Sequence, residues 1–206
     1  VDDGSGNDEI AGDNIYTATI ITSDLGAGEM LRWRVIATDT SGNITTDPRY
    51  PDPVDSPRYY GTIAADPSTV NSLLPVMHWF VANAGAANNR SGTRSSLYFE
   101  GEFYDNILTD LHGQSTSGFP KKSYDFDFNS GARFRWQEGE RRVKDINLLT
   151  NWADKAKVRN TMGYGLATMM GEPCHYAKMV RVQQNGAFFS VSDMVEDGDG
   201  LFINPL

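Results

Sequence analysis

Leu111-His112-Gly113-Gln114-Ser115-Thr116-Ser117-Gly118-Phe119-Pro120-Lys121-Lys122-Ser123-Tyr124-Asp125-Phe126-Asp127-Phe128 is the run on which the reading turns. Its first part is glycine and hydroxyls, the chemistry of a turn. Its second part alternates strictly. Tyr124, Phe126 and Phe128 therefore share one face of a strand, with Lys122 on the same face and Lys121 on the other. A cation on the inward face of a strand, just after a glycine-rich loop, can meet nucleotide phosphates as a point charge. The same lysine also reads as a snorkelling side chain whose stem covers Tyr124. The loop 113–118 offers backbone N–H groups and hydroxyls to a phosphate. It lacks the Walker spacing, and an ordinary hairpin connection has the same composition.

Around this run the pattern is mixed. Residues 74–81 read as a buried strand and residues 84–96 as a loop. Residues 97–99 and 103–108 read as a hairpin about Glu100-Gly101. Residues 152–170 read as the main helix, because Ala153, Ala156, Val158, Met162, Leu166, Met169 and Met170 recur near the helical period before Gly171 and Pro173 stop it. Gly163 and Gly165 inside it each cost about 1 kcal/mol against alanine, which predicts close packing against another element. Residues 177–183 and 187–195 form a hairpin about Asn185-Gly186. The run Arg133, Arg135, Arg141, Arg142, Lys144 reads as a solvated hairpin.

Upstream, residues 1–57 read as all-β. Ile15-Tyr16-Thr17-Ala18-Thr19-Ile20-Ile21 is strand-like. From Met30 to Asp39, Leu31, Trp33, Val35 and Ala37 alternate with Arg32, Arg34 and Ile36, so Trp33 would face a core. Pro48, Pro51, Pro53 and Pro57 make a stiff linker and the best boundary. The chain divides into residues 1–57 and residues 58–206.

The 206 residues carry 18 basic and 27 acidic side chains, a net charge of −9. That charge disfavours nucleic acid and anionic membranes as partners. A hydrophobic fraction of 39% builds a core. The longest apolar stretch, 73–87, is interrupted by Pro75, His78 and Asn83 and does not span a membrane. A single cysteine, Cys174, excludes an internal disulfide and reads as a buried, inert thiol. His78, His112 and His175 lack metal-ligand spacing, and His78 reads as a core histidine. Asp2, Asp3 and Asp8 are turn residues of a kind that also holds calcium. Glu196-Asp197-Gly198-Asp199-Gly200 lacks the spacing and the closing glutamate of a calcium loop. Both ends look internal, as in a piece of a longer protein.

The order of motifs resembles the CotH kinase family, the spore coat protein H-like proteins. The carriers are Leu97 to Gly101, Tyr104-Asp105-Asn106-Ile107, His112-Gly113-Gln114-Ser115 and Pro120-Lys121-Lys122-Ser123-Tyr124. They continue through Asn147-Leu148-Leu149, Asn151-Trp152-Ala153-Asp154, Val158-Arg159-Asn160, Val180-Arg181-Val182, Asn185-Gly186 and Val195-Glu196. The first segment is similar to the Ig-like β-sandwich modules of exported bacterial proteins, through Ala11-Gly12-Asp13-Asn14-Ile15-Tyr16 and Ala37-Thr38-Asp39-Thr40-Ser41-Gly42-Asn43. The resemblance implies an α+β chain: an Ig-like fragment, then an atypical-kinase-like N-lobe of antiparallel strands with one main helix. It implies a secreted or cell-surface bacterial kinase that transfers the ATP γ-phosphate, with magnesium, to Ser/Thr of a surface or coat protein. Nucleotide would be held by Lys122, Gly113, Gln114, Ser115 and Gly118, with the inter-lobe hinge at Glu196. The catalytic and magnesium-binding aspartates would lie past Leu206, leaving no catalytic residue in this chain and the piece inactive alone. Extracellular β-modules use Asp-rich loops of this kind for calcium, but at Asp2, Asp3 and Asp8 a plain turn is the favoured reading over a metal. Three positions depart from the family: Asp125 stands where a lysine is common, Gly165 where the helix carries a glutamate, and Ser190 to Asp193 where a glycine/tyrosine pattern is usual. A strand lysine without its glutamate is held less firmly. The alternative is a non-catalytic surface or adhesion module on a degenerate kinase-like scaffold.

Overall fold

The computed structural model describes residues 2–198. Four short strands come first: β1 (Met30–Trp33), β2 (Val35–Thr38), β3 (Ile44–Asp47) and β4 (Tyr60–Ile63). β1 pairs with β4 and β2 with β3, giving two separate two-stranded sheets. Seven longer strands follow: β5 (Val76–Val81), β6 (Thr93–Phe99), β7 (Glu102–His112), β8 (Ser123–Asp127), β9 (Asp145–Leu149), β10 (Ala177–Gln184) and β11 (Ala187–Glu196). A short helix α1 (Ala84–Ala87) lies between β5 and β6, and α2 (Arg159–Met169) between β9 and β10.

The seven strands close into a barrel in the order β10, β11, β9, β8, β7, β6, β5. All neighbours are antiparallel except β5 and β10, whose parallel pairing from Arg181–Val76 to Gln184–Trp79 shuts the barrel. The molecule is mostly β with few helices. Closure removes the open edges that an N-lobe sheet would leave. The interior is filled rather than hollow. Trp79, Phe99, Phe126 and Phe134 are almost wholly buried, with Met77, Leu97, Ile107, Ile146, Leu148, Val180 and Val182 around them. Tyr124, Phe126 and Phe128 do share the inward face. The Asn185-Gly186 hairpin is present, both residues at positive φ as this turn requires.

The first segment departs from the expected sandwich. Residues 15–21 form no strand, and the stretch from Met30 breaks at Arg34 into strands that join different sheets. Among residues 2–75 no hydrophobic side chain except Pro48 is buried, so there is no sandwich core here. Carboxylate-capped turns hold the segment instead. Asp2 accepts the N–H groups of Gly12, Asp13 and Asn14, and Asp39 those of Ser41 and Asn43. The proline-rich stretch lies against the barrel: Asp55 binds Ser130, and Asn106 donates to the carbonyls of Pro53 and Ser56.

The main helix is shorter than its sequence pattern and turns a different face inward. Thr161, Tyr164 and Ala167 are half-buried, while Met162, Leu166, Met169 and Met170 are exposed. Asp154 accepts the N–H groups of Ala156 and Arg159, so residues before Arg159 form a capping turn. Gly163 and Gly165 face open space, with nothing within 4 Å of a Cβ added to either. Close packing therefore does not explain these glycines.

Candidate functional site

The loop between β7 and β8 is built by local chemistry. Gly113 has φ +83°, and a Cβ there would sit 2.1 Å from Thr116 Oγ1, so glycine is required. The chain then makes one 3-10 turn, Ser115–Gly118, and leaves it extended at Phe119. Two cations close on the loop's carbonyls: Arg90 donates to the Gly113 oxygen and Lys122 Nζ to the Ser117 oxygen. Lys122 is thus half-buried at the loop's root, above the inward row of Tyr124 and Phe126. Lys121 crosses to the other side and donates to the Val191 carbonyl. Burial, with Lys157 nearby, holds the Lys121 ammonium below its ordinary range.

Glu196 lies elsewhere. It ends β11 opposite Ile146, which itself pairs with Phe126, whereas Lys122 precedes Tyr124. Four residues along and two strands across separate them, about 13 Å and about 10 Å respectively. Glu196 is buried, its carboxylate meets Arg141, and its Oε2 has no partner. Arg141 in turn lies over the Tyr176 ring, 5.3 Å from its centre, and Tyr176 stacks on Trp136 at 3.9 Å. The structure therefore ties Lys122, through Ser117, to the loop that carries Gly113, Gln114, Ser115 and Gly118, and does not bring Glu196 to it. The basic run is not simply solvated either. Arg135 and Arg142 both pair with Glu102 at 2.9 and 2.8 Å, and Arg141 takes Glu196.

A second group of ionisable residues went unread in the sequence. Asp110 opposes Asp125 on β7 and β8, and Asp127 opposes Asp145 on β8 and β9. Burial first, then Asp197, Asp110 and Asp127, push the Asp125 carboxyl up to about 7. Burial raises Asp110 as well and lowers His112. Asp127 and Asp145 share a hydrogen bond that lowers the first, while burial and that bond raise the second. Lys144 lies between them at 3.2 and 3.1 Å. The signal was available: Asp125 and Asp127 alternate with Tyr124, Phe126 and Phe128, so they share the opposite face.

The other candidates resolve individually. His78 is buried against Tyr98, and burial lowers its pKa. Cys174 is only half-buried, with its sulfur 3.1 Å from Thr168 Oγ1. Asp193 is fully buried and accepts from Thr161, which fastens α2 to the barrel. Among the described residues, Asp2, Asp8 and Asp13 converge with carboxylate oxygens within 4.8 Å of one another. Asp3 is not among them and bonds Ser5. Of the acidic run from Glu196, Asp199 and Gly200 lie outside the described residues. No described helix is long and apolar enough to cross a membrane.

Residues 110–204 match the family model of the CotH kinase protein, a span that takes in the loop, Lys122, α2 and the last hairpin. No curated protein matches the chain.

Proposed function

We propose, from the CotH kinase match over residues 110–204, that this chain supplies the phosphate-binding part of a CotH-like kinase. The kinase is secreted or surface-attached and moves the ATP γ-phosphate to a serine or threonine hydroxyl of a surface protein. One observation carries this reading: the Lys122 ammonium is bonded to the Ser117 carbonyl, so the cation and the glycine-rich loop form one unit. An ammonium has three donors. One is committed to Ser117, which leaves two for phosphate oxygens. The hydroxyls of Ser115 and Thr116 stand on the same turn. This donor set fits the phosphates of a nucleotide. It contains no carboxylate, so it does not fit the magnesium ion, and no step is derived through that metal.

ATP supplies the transferable phosphoryl group. The chain's own residues bind and orient it: Lys122 offsets the phosphate charge, and the tight Gly113 turn sets the loop's distance from the lysine. Calcium at Asp2, Asp8 and Asp13 would brace the N-terminal turns, since three carboxylates already converge there. A second reading, a surface module without kinase chemistry, is favoured by Gly165, which faces open space and offers Lys122 no ion-pair partner.

Isothermal titration with ATP and magnesium separates the two. The kinase reading expects saturable binding that weakens about tenfold in Lys122→Ala, the worth of one charge-assisted contact. Lys155→Ala, an exposed lysine, leaves it unchanged. Equal affinities for wild type and Lys122→Ala remove Lys122 from the site. Absence of binding leaves the second reading standing.

A further inference from the structure

A cavity of about 660 Å3 lies away from the loop, between β1 and residues 50–59 on one side and β5, β6 and β7 on the other. Its volume is that of a small-molecule site. In a chain of net charge −9 its lining is unexpectedly basic: Arg32, Arg58 and Arg94 all face it, beside Tyr50 and Tyr59.

The guanidinium groups are crowded and underused. Arg32, Arg58 and Arg34 all approach the Tyr59 ring, at 4.9, 5.4 and 5.5 Å from its centre. Three like charges about one ring repel one another, and the single carboxylate beside them, Asp105, balances only one of the three. Asp105 is buried and accepts the N–H groups of Arg58 and Tyr59 at 3.1 and 3.0 Å and the Ser96 hydroxyl at 2.7 Å; Arg32 reaches it only at 3.5 Å. Glu29, also on the lining, accepts the Gly26 N–H. Arg94 donates to the Asn106 carbonyl. The Arg58 guanidinium makes no hydrogen bond or ion pair with any described residue; its contacts are the Tyr59 and Tyr50 rings.

We propose that this cavity binds a small phosphate monoester, its phosphoryl group among Arg32, Arg58 and Arg94 and its body against Tyr50 and Phe80. Guanidinium forks match a tetrahedral oxyanion in pairs, which a lysine does not do. The cavity is much larger than a phosphate ion, so an ester fills it better than the free anion does. The site is separate from the loop and Lys122 and stands or falls independently of them.

Titration of the full chain with phenyl phosphate tests this, with inorganic phosphate as the second arm. Phenyl phosphate is expected to bind more tightly than inorganic phosphate, to weaken about tenfold or more in Arg58→Ala, and to lose affinity as salt rises. Arg58→Lys, which keeps the charge and removes the fork, should fall between. Arg58 is exposed and its side chain touches only the Tyr50 and Tyr59 rings, so both variants should fold and melt close to the wild type. Lys155→Ala, an exposed lysine off the lining, should bind phenyl phosphate as the wild type does. Two outcomes overturn the site: no saturable binding, or full affinity in Arg58→Ala. Equal affinity for inorganic phosphate overturns the assignment to an ester.

Discussion

The barrel and the segment before it are held together by different physics. The barrel closes around a continuous cluster of buried aromatic and aliphatic side chains. Residues 2–75 contribute nothing to that cluster and rely on aspartates that cap their own turns. Burial is non-directional and grows with area, whereas each cap stands alone and depends on one carboxylate. A substitution should therefore act cooperatively in one region and locally in the other.

The sharpest way to break this contrast is Trp79→Ala. Trp79 is fully buried, and its ring meets Tyr124, Phe126 and Phe189 at 4.8, 5.4 and 5.7 Å. Removing it should cost about 3–5 kcal/mol in urea denaturation. Hydrogen exchange should show the loss spread over all seven barrel strands and absent from the turns before residue 48. Asp105→Ala comes next, because Asp105 joins the two regions. Its loss leaves the Arg58 and Tyr59 N–H groups without their acceptor, at about 2–3 kcal/mol. Limited proteolysis should then cut within residues 50–59 while the barrel core stays protected. Protection of that stretch would show that the Asp55–Ser130 and Asn106 bonds hold it to the barrel without this carboxylate.

The same contrast explains what could be read in the sequence. Inward alternation at Tyr124, Phe126 and Phe128, and the turn at Asn185-Gly186, are local signals, and both stand in the structure. The bond from Lys122 to the Ser117 carbonyl is as local, five residues apart, yet alternation gives only the face of the lysine and not its partner. Barrel closure was not legible, because it depends on Val76 meeting Arg181 across a hundred residues. Helix α2 was legible as a helix but not in its orientation. Its apolar period favours Met162 and Leu166, yet the Thr161 bond to buried Asp193 decides which side faces the barrel. In the first segment, alternation at Leu31, Trp33 and Val35 suggested a core that the short sheets do not form. The Glu196 position illustrates the remaining limit: neighbouring carboxylates in sequence say nothing of Arg141, which neutralises it from another loop.

pH should move the two regions in opposite directions. Asp39 is held below its ordinary value by the Asn43 side chain and backbone N–H groups. Its contribution is present above pH 4 and disappears as pH falls through its folded-state value. Asp125 is the reverse, raised from 3.8 to about 7 chiefly by burial. Between those values the folded state holds the extra proton, so the barrel weakens as pH climbs from about 4 to about 7. Asp125→Asn should flatten that slope and make the barrel more stable than wild type at pH 8. Asp39→Asn should loosen residues 39–43 at neutral pH and leave the barrel's slope unchanged. Thermal melts of both variants across pH 4–8 read this directly. A wild-type slope that survives in Asp125→Asn assigns it to Asp145 and Asp110, the other raised aspartates.

The smallest effect separates local propensity from packing in α2. Gly165 has ordinary helical backbone and open space where a Cβ would go. Alanine there loses less backbone freedom on folding, so Gly165→Ala should stabilise the helix by about 1 kcal/mol. Gly165→Glu restores the residue type that the family resemblance expects and should gain less, since glutamate is the weaker helix former. The two variants together decide a functional point. Should Gly165→Glu tighten ATP binding while Gly165→Ala does not, the helix reaches Lys122 and the missing ion pair was the limit. If neither changes affinity, the lysine works with its loop alone, as its bond to Ser117 implies.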